Sequence, residues 1–227
     1  MKETIYTIPI NEIFEENSGC PICTMNDKLE ERYVDYIIGA AMMEPDVRIE
    51  TNRLGFCYDH YGMMLKRRNR LGIALTLESH LNEVYDRLIS GKAFKEVKNQ
   101  KSASIGTTCY VCNRIDNAMV GMLSNIYKMY STDAGFRKLY SNQKVICYDH
   151  CRLLINGAKK NISKKLLAQF EKETIRLTTE YLKELKGDVS HFCRMFDYRS
   201  NSQDNADWGN SKDSVERAIW FMTSKKV

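Results

Sequence analysis

The chain has 227 residues, of which 43% are hydrophobic and 28% charged, so it can bury a sizeable core and is not a disordered tail. Its 34 Lys/Arg against 29 Asp/Glu give a formal net charge of +5, too mild a basic balance for a dedicated nucleic-acid binder. Only 3 prolines and 12 glycines occur, where average usage would give roughly 11 and 16; this scarcity of breakers predicts long helices and argues against an all-β fold.

Taken in chain order, Met1 to Glu16 carries Glu12, Glu15 and Glu16 and lacks the apolar stretch of a signal peptide. No apolar run approaches the roughly 18 residues needed to span a bilayer, so the expected location is cytoplasmic. Cys20-Pro-Ile-Cys23 then opens a first helix, predicted over Met25–Met43 from Leu29, Tyr33, Tyr36, Ile37, Ala40 and Ala41 at helical spacing. Glu44-Pro45-Asp46 breaks it. Cys57-Tyr-Asp-His60 opens a longer helical pattern to about Lys98, with Gly72 and Gly91 as weak points, and the polar tract Asn99–Thr108 reads as a linker. Cys109-Tyr-Val-Cys112 opens the next helix through Ile115, Met119, Met122, Leu123, Ile126, Tyr127 and Tyr130. Cys147-Tyr-Asp-His150 opens another long pattern to Lys186. The tail has an aromatic stretch (His191–Arg199), a polar loop around Trp208, an N-cap expected at Asn210 with Asp213 in the first turn, and a short amphipathic helix bearing Val215, Ala218, Ile219 and Phe221.

The cysteines carry the chemistry. In a reducing compartment, eight cysteines point to metal ligands more than to disulfides. Cys20 and Cys23 are followed after 33 residues by Cys57 and His60; Cys109 and Cys112 are followed after 34 by Cys147 and His150. One repeated rule thus absorbs six of the eight cysteines and two of the four histidines, a register that buried free thiols have no reason to keep. Three thiolates and an imidazole complete a zinc tetrahedron with no position left for water, which is the signature of a structural ion. The expectation is two Zn²⁺ per chain at Cys3His sites, each ion stapling the ends of one helical hairpin. The same soft donors also hold iron–sulfur clusters, and spacing alone does not separate the two.

Other candidates are weaker. Cys151 has no counterpart in the first half, where Tyr61 stands, and reads as a helix-buried thiol. His191 and Cys193 are half a site without a partner pair, and His80 reads as a packing histidine. Asp59 and Asp149 sit in first helical turns, where a carboxylate complements the dipole and is placed to tune ligand basicity. The basic clusters Lys66-Arg67-Arg68-Asn69-Arg70 and Lys159-Lys160 with Lys164-Lys165 follow equivalent knuckles, and residues 107–187 hold 14 Lys/Arg against 7 Asp/Glu. A solvated face is the plain reading of that charge; contact with nucleic-acid phosphates is the other. No phosphate-binding glycine loop, His-Glu-x-x-His or nucleophile elbow occurs, so the sequence leans away from an enzyme.

The opening Lys2-Glu3-x-Ile5-Tyr6-Thr7-Ile8-Pro9, the two CxxC/CxxH units, and the tail Phe196-Asp197-Tyr198-Arg199 with Trp208-Gly209-Asn210-Ser211-Lys212-Asp213 resemble a bacterial domain-of-unknown-function family found mostly in anaerobic Firmicutes. The resemblance spans nearly the whole chain and implies no activity. The reading is therefore an all-α protein of two pseudo-repeated helical units, each a metal-clamped hairpin. The first unit covers 1–106 and the second 107–187; residues 188–227 form a C-terminal strap packed on the bundle through Phe196, Tyr198, Trp208 and Trp220. The expected role is a metal-binding or adaptor protein with an unidentified protein partner. The alternatives are an Fe–S redox or sensor protein and a zinc-stabilised nucleic-acid-associated protein.

Overall fold

The computed structural model describes residues 10–92, 108–196 and 207–225, and within them all regular structure is helical. Helices α1 (Ile10–Glu16) and α2 (Pro21–Ile38) are followed by a 3-10 turn at Ala40–Met43, α3 (Pro45–Leu54), α4 (Tyr58–Lys66) and α5 (Arg70–Ile89). The second half runs α6 (Tyr110–Thr132), α7 (Ala134–Ser141), α8 (Tyr148–Asn161) and α9 (Lys164–Met195), then a 3-10 turn at Gly209–Ser211 and α10 (Ser214–Thr223). The order long, short, Cys-x-x-His-led, long recurs in both halves, as a pseudo-repeat requires. The predicted linker at 99–107, the opening segment 2–9 and the tail tyrosine Tyr198 lie outside the described residues.

Glycine ends two of the helices: α3 stops at Gly55 (φ 64°), and α5 stops at Ile89 just before Gly91 (φ 68°), one of the expected weak points, while Gly72, the other, lies inside α5. The first helix ends at Ile38, with Pro45 as the first residue of α3, the position where its missing N–H is harmless. The long pattern expected from Tyr58, with weak points at Gly72 and Gly91, is cut earlier, at Arg68, which adopts a left-handed φ of 61°. The Asn69 side chain then accepts the Gly72 N–H to cap α5. In the second half, Ile162 and Ser163 turn extended between α8 and α9. The last helix starts at Ser214 with Asp213 before it; Asn210, expected as its cap, instead accepts an Arg217 hydrogen bond through its carbonyl.

The chain groups into two compact units, one of residues 1–25 with 120–227 and one of residues 26–119. The first is organised around aromatic rings. Phe14 meets Phe136 edge-on at 5.0 Å, and Tyr130, Tyr140 and Phe170 contact one another at 4.8–5.4 Å. Two ring hydroxyls in this cluster are satisfied: Tyr140 pairs with Thr174, and Tyr130 donates to Glu173. Phe221 buries α10 against Tyr181, while Phe196 of the expected strap is mostly exposed. The second unit packs Val34, Ile37, Val47, Met64, Ile73 and Val111. There α5 buries Gly72, Ile73 and Thr76 and leaves Leu71, Leu81, Tyr85, Leu88 and Ile89 on the outside.

Candidate metal centres

Each Cys-containing knuckle is built the same way. Cys57 and Cys147 occupy the N-cap positions of α4 and α8 in extended conformation, which puts His60 and His150 three residues on, in the first turn. Cys20 and Cys109 likewise sit immediately before α2 and α6, their carbonyls accepting the Thr24 and Asn113 N–H groups. Cys23 and Cys112 follow in the first turns. An N-cap side chain and one three residues later lie on the same side of a helix start, so every knuckle aims two donor atoms at one point. The thiolates also gain from the positive ends of the helix dipoles.

The structure brings all eight predicted ligands into two groups of four. Centre 1 is Cys20, Cys23, Cys147 and His150; centre 2 is Cys57, His60, Cys109 and Cys112. Within each group the donor atoms all lie within 4.8 Å of one another. The pairing differs from the one the spacing suggested: each Cys-x-x-Cys meets the Cys-x-x-His of the other half. Helix lengths give the reason. At 1.5 Å per residue, α2 runs about 27 Å away from Cys20, and α3 covers only about 15 Å even if it runs straight back. The knuckle that follows stops short of its own Cys-x-x-Cys. His60 accordingly meets Glu30, two turns along α2, its Nε2 lying 3.0 Å from Glu30 Oε1. In the second half the mismatch is larger, about 35 Å for α6 against about 12 Å for α7.

In centre 1, Nδ1 of His150 lies 3.0 Å from Cys147 Sγ, 3.3 Å from Cys23 Sγ and 3.6 Å from Cys20 Sγ. The Cys23 and Cys147 sulfurs are 3.7 Å apart. All three thiols are buried. Asn17, itself in a left-handed conformation, places the group. Its side chain donates to the Asn142 carbonyl and accepts the Lys144 N–H, tying the approach to Cys20 to the approach to Cys147. In centre 2, Nδ1 of His60 lies 3.0, 3.2 and 3.5 Å from the sulfurs of Cys57, Cys109 and Cys112, and the Cys57 and Cys112 sulfurs are 4.0 Å apart. The corresponding clamp is Gly55, whose carbonyl accepts the Tyr110 N–H. Gly55 has φ +64°, and a Cβ there would come 2.6 Å from Nε2 of His80. Only glycine fits. His80 is thus a packing histidine whose Nδ1 bonds the Asn52 carbonyl.

The electrostatics divide each ligand set, lowering one cysteine and raising another cysteine and the histidine. Burial works against the His60 imidazolium, but Cys109 and Glu30 raise its pKa to about 10. Burial likewise opposes the Cys109 thiolate, yet His60 and the Cys112 and Cys57 backbone N–H groups bring it down to about 6. Burial and the neighbouring Cys109 push Cys112 up. In centre 1, burial opposes the His150 imidazolium, and Cys147 and Cys20 raise it to about 10. Hydrogen bonds from Cys20 and Cys23 hold Cys147 far below its ordinary value, and hydrogen bonds with Cys147 and Cys20, with burial, drive Cys23 upward. Without an ion, the contacts in each centre favour one thiolate and the charged form of the imidazole beside it.

The remaining candidates take the plainer roles. Cys151 is buried against Thr178. His191 bonds the Asp207 carbonyl, and no third group of metal-ligating side chains occurs among the described residues. Asp59 and Asp149 are exposed on first helical turns; the carboxylate that reaches a ligand is Glu30, which the sequence did not mark. Lys159, Lys160, Lys164 and Lys165 are exposed, while Arg67 pairs with Asp35 at 2.6 Å. No helix of the described residues is long and apolar enough to cross a membrane.

Over residues 1–227 the chain belongs to DUF6062, a family of unknown function. No curated protein and no solved structure gives a significant match.

Proposed function

We propose that this DUF6062 member is a metal-stapled binding protein that carries one structural Zn²⁺ in each centre. The carrying observation is the donor geometry. A tetrahedron built on Zn–S of about 2.3 Å and Zn–N of about 2.05 Å has S···S edges of about 3.8 Å and S···N edges of about 3.5 Å. The hydrogen-bond-range S···S separations here are 3.7 and 4.0 Å, and the S···N separations run from 3.0 to 3.6 Å. All four positions of each tetrahedron are filled by protein, which suits an ion that holds the fold together. The Glu30–His60 contact is of the carboxylate–histidine type that orients and strengthens a metal-bound imidazole.

An iron–sulfur cluster draws on the same donors, but it distributes its ligands over separate irons. Four donor atoms within 4.8 Å of one another favour a single ion. The binding role is supported by the apolar outer face of α5, where Leu81, Tyr85 and Leu88 succeed one another at helical spacing and Ile89 widens the stripe.

The test is metal removal from the full chain under anaerobic conditions, followed by circular dichroism and thermal unfolding. Stripping the ions should lower the transition markedly and cost helical signal, because structural-site binding energy is folding energy. Identical unfolding of loaded and stripped chains would refute the structural role.

A further inference from the structure

The two centres share a ligand set but not their surroundings. Centre 2 is supported through its histidine, by Glu30. Centre 1 is supported through a cysteine. The Oγ of Ser224 lies 3.1 Å from Cys147 Sγ, and the Ser224 carbonyl oxygen lies 4.0 Å from Cys23 Sγ. Ser224 is the residue that ends α10. It takes a left-handed φ of 58°, with its N–H donating to the Trp220 carbonyl at 2.7 Å.

A serine in that conformation is uncommon, since glycine or asparagine usually ends a helix this way. A hydroxyl is what this position gains over glycine. The helix that carries it is held independently. Phe221 is 1% exposed, its ring 5.7 Å from Tyr181, and Trp220 meets Tyr181 edge-on. Arg217 bonds Asp188 at 2.9 Å with both side chains about one-fifth exposed. The end of α10 is thus delivered to the sulfurs of centre 1 by contacts that do not involve the ligands.

We infer that Ser224 is a positioning residue for centre 1, and that α10 is the cover through which the C-terminal segment controls that ion and not the one in centre 2. The inference rests on the metal reading above and adds to it. With Cys147 as a metal-bound thiolate, the Ser224 hydroxyl donates its proton to Sγ. That hydrogen bond spreads the sulfur's charge, fixes its lone pairs toward the ion, and leaves less of it open to competing protons or chelators. Outer-shell partners of this kind are worth 10–100-fold in metal affinity. Linkage makes the effect reciprocal: an ion in centre 1 favours the docked α10 by the factor with which docked α10 favours the ion.

The experiment uses the full chain loaded anaerobically with zinc, and in parallel with cobalt(II), whose thiolate bands report each sulfur's environment. Ser224→Gly removes the hydroxyl while keeping a residue suited to the left-handed turn, so the helix end stays in place. Cys57→Ser disables centre 2 and lets centre 1 be read alone. The expected result is that Ser224→Gly transfers zinc from centre 1 to a chromophoric chelator about tenfold more readily. It should also shift the cobalt–thiolate bands in the Cys57→Ser background, while zinc transfer from centre 2 in the chain that keeps Cys57 stays unchanged. Two bound ions with unaltered transfer and unaltered bands would overturn the inference while leaving the metal reading intact. Equal weakening of both centres would overturn it too, by showing a general loss of stability. A chain that takes up neither zinc nor cobalt would overturn the metal reading, and this inference with it.

Discussion

The exchange of knuckles between the two halves makes a prediction that stoichiometry alone can decide. Serine in place of cysteine keeps the side-chain volume and removes one donor. Cys20→Ser should release one ion, and so should Cys147→Ser or Cys57→Ser. Combining Cys20→Ser with Cys147→Ser strikes centre 1 twice and should leave one ion per chain. Combining Cys20→Ser with Cys57→Ser strikes both centres and should leave none, because these ligands belong to different groups.

The energies follow the same logic. An ion present at about 1,000 times its dissociation constant stabilises the native chain by about 4 kcal/mol. The first substitution in a centre should cost about that much, and a second in the same centre about 1 kcal/mol or less. A second substitution in the other centre should cost about 4 kcal/mol again. Coupling of that size lies far above the roughly 0.3–0.5 kcal/mol scatter expected of independent sites. The assays are elemental analysis and urea unfolding of the three single and two double variants. If the Cys20/Cys57 double variant kept one ion while the Cys20/Cys147 double variant kept none, the pairing would follow the sequence halves and the structural account would be wrong.

Four further outcomes follow from the geometry. Glu30→Gln should weaken zinc at centre 2 by 10–100-fold in a competitive chelator titration and leave centre 1 unchanged, because Glu30 touches only His60 of the eight ligands. Loading should release protons, since the raised His60 and Cys112 must both give theirs up. Cys109 is depressed from 9.0 to about 6. Its contribution to the stability of the metal-free chain is therefore complete above 9 and lost as pH falls through 6, so the urea midpoint of that chain should fall as pH drops from 9 to below 6. Finally, Leu81→Lys with Tyr85→Lys should leave thermal stability within about 0.5 kcal/mol, as for exposed positions generally. The same pair should abolish capture of any protein bound through α5 in a cross-linking experiment.

The ligands and the helical class were legible because both are written in short-range spacing. Two cysteines three residues apart at a helix start converge whatever the fold, and apolar residues at i, i+3 and i+4 mark a buried stripe. The pairing was not legible in that way, since spacing within a knuckle says nothing about which knuckle it meets. The signal lay in the breaks. Pro45 falls past the midpoint between Cys23 and Cys57, and Asp133, whose side chain caps α7, falls past the midpoint between Cys112 and Cys147. Each outward helix therefore exceeds its return.

The breaks at Arg68 and at Ile162–Ser163 escaped notice because ordinary residues adopt those conformations under tertiary constraint. Glu30 was hidden for a different reason. It lies on the helix opened by one centre and serves the histidine of the other. Ser224 was equally invisible, some 77 positions from the cysteine it touches.

The most direct test of the central claim is the native mass of the chain purified without oxygen or chelator. The account predicts a mass excess of two zinc ions less the protons they displace, no visible absorption band, and a fall to one ion in any single-ligand variant. A chain that carries iron with acid-labile sulfide, or that carries no metal at all, would contradict it.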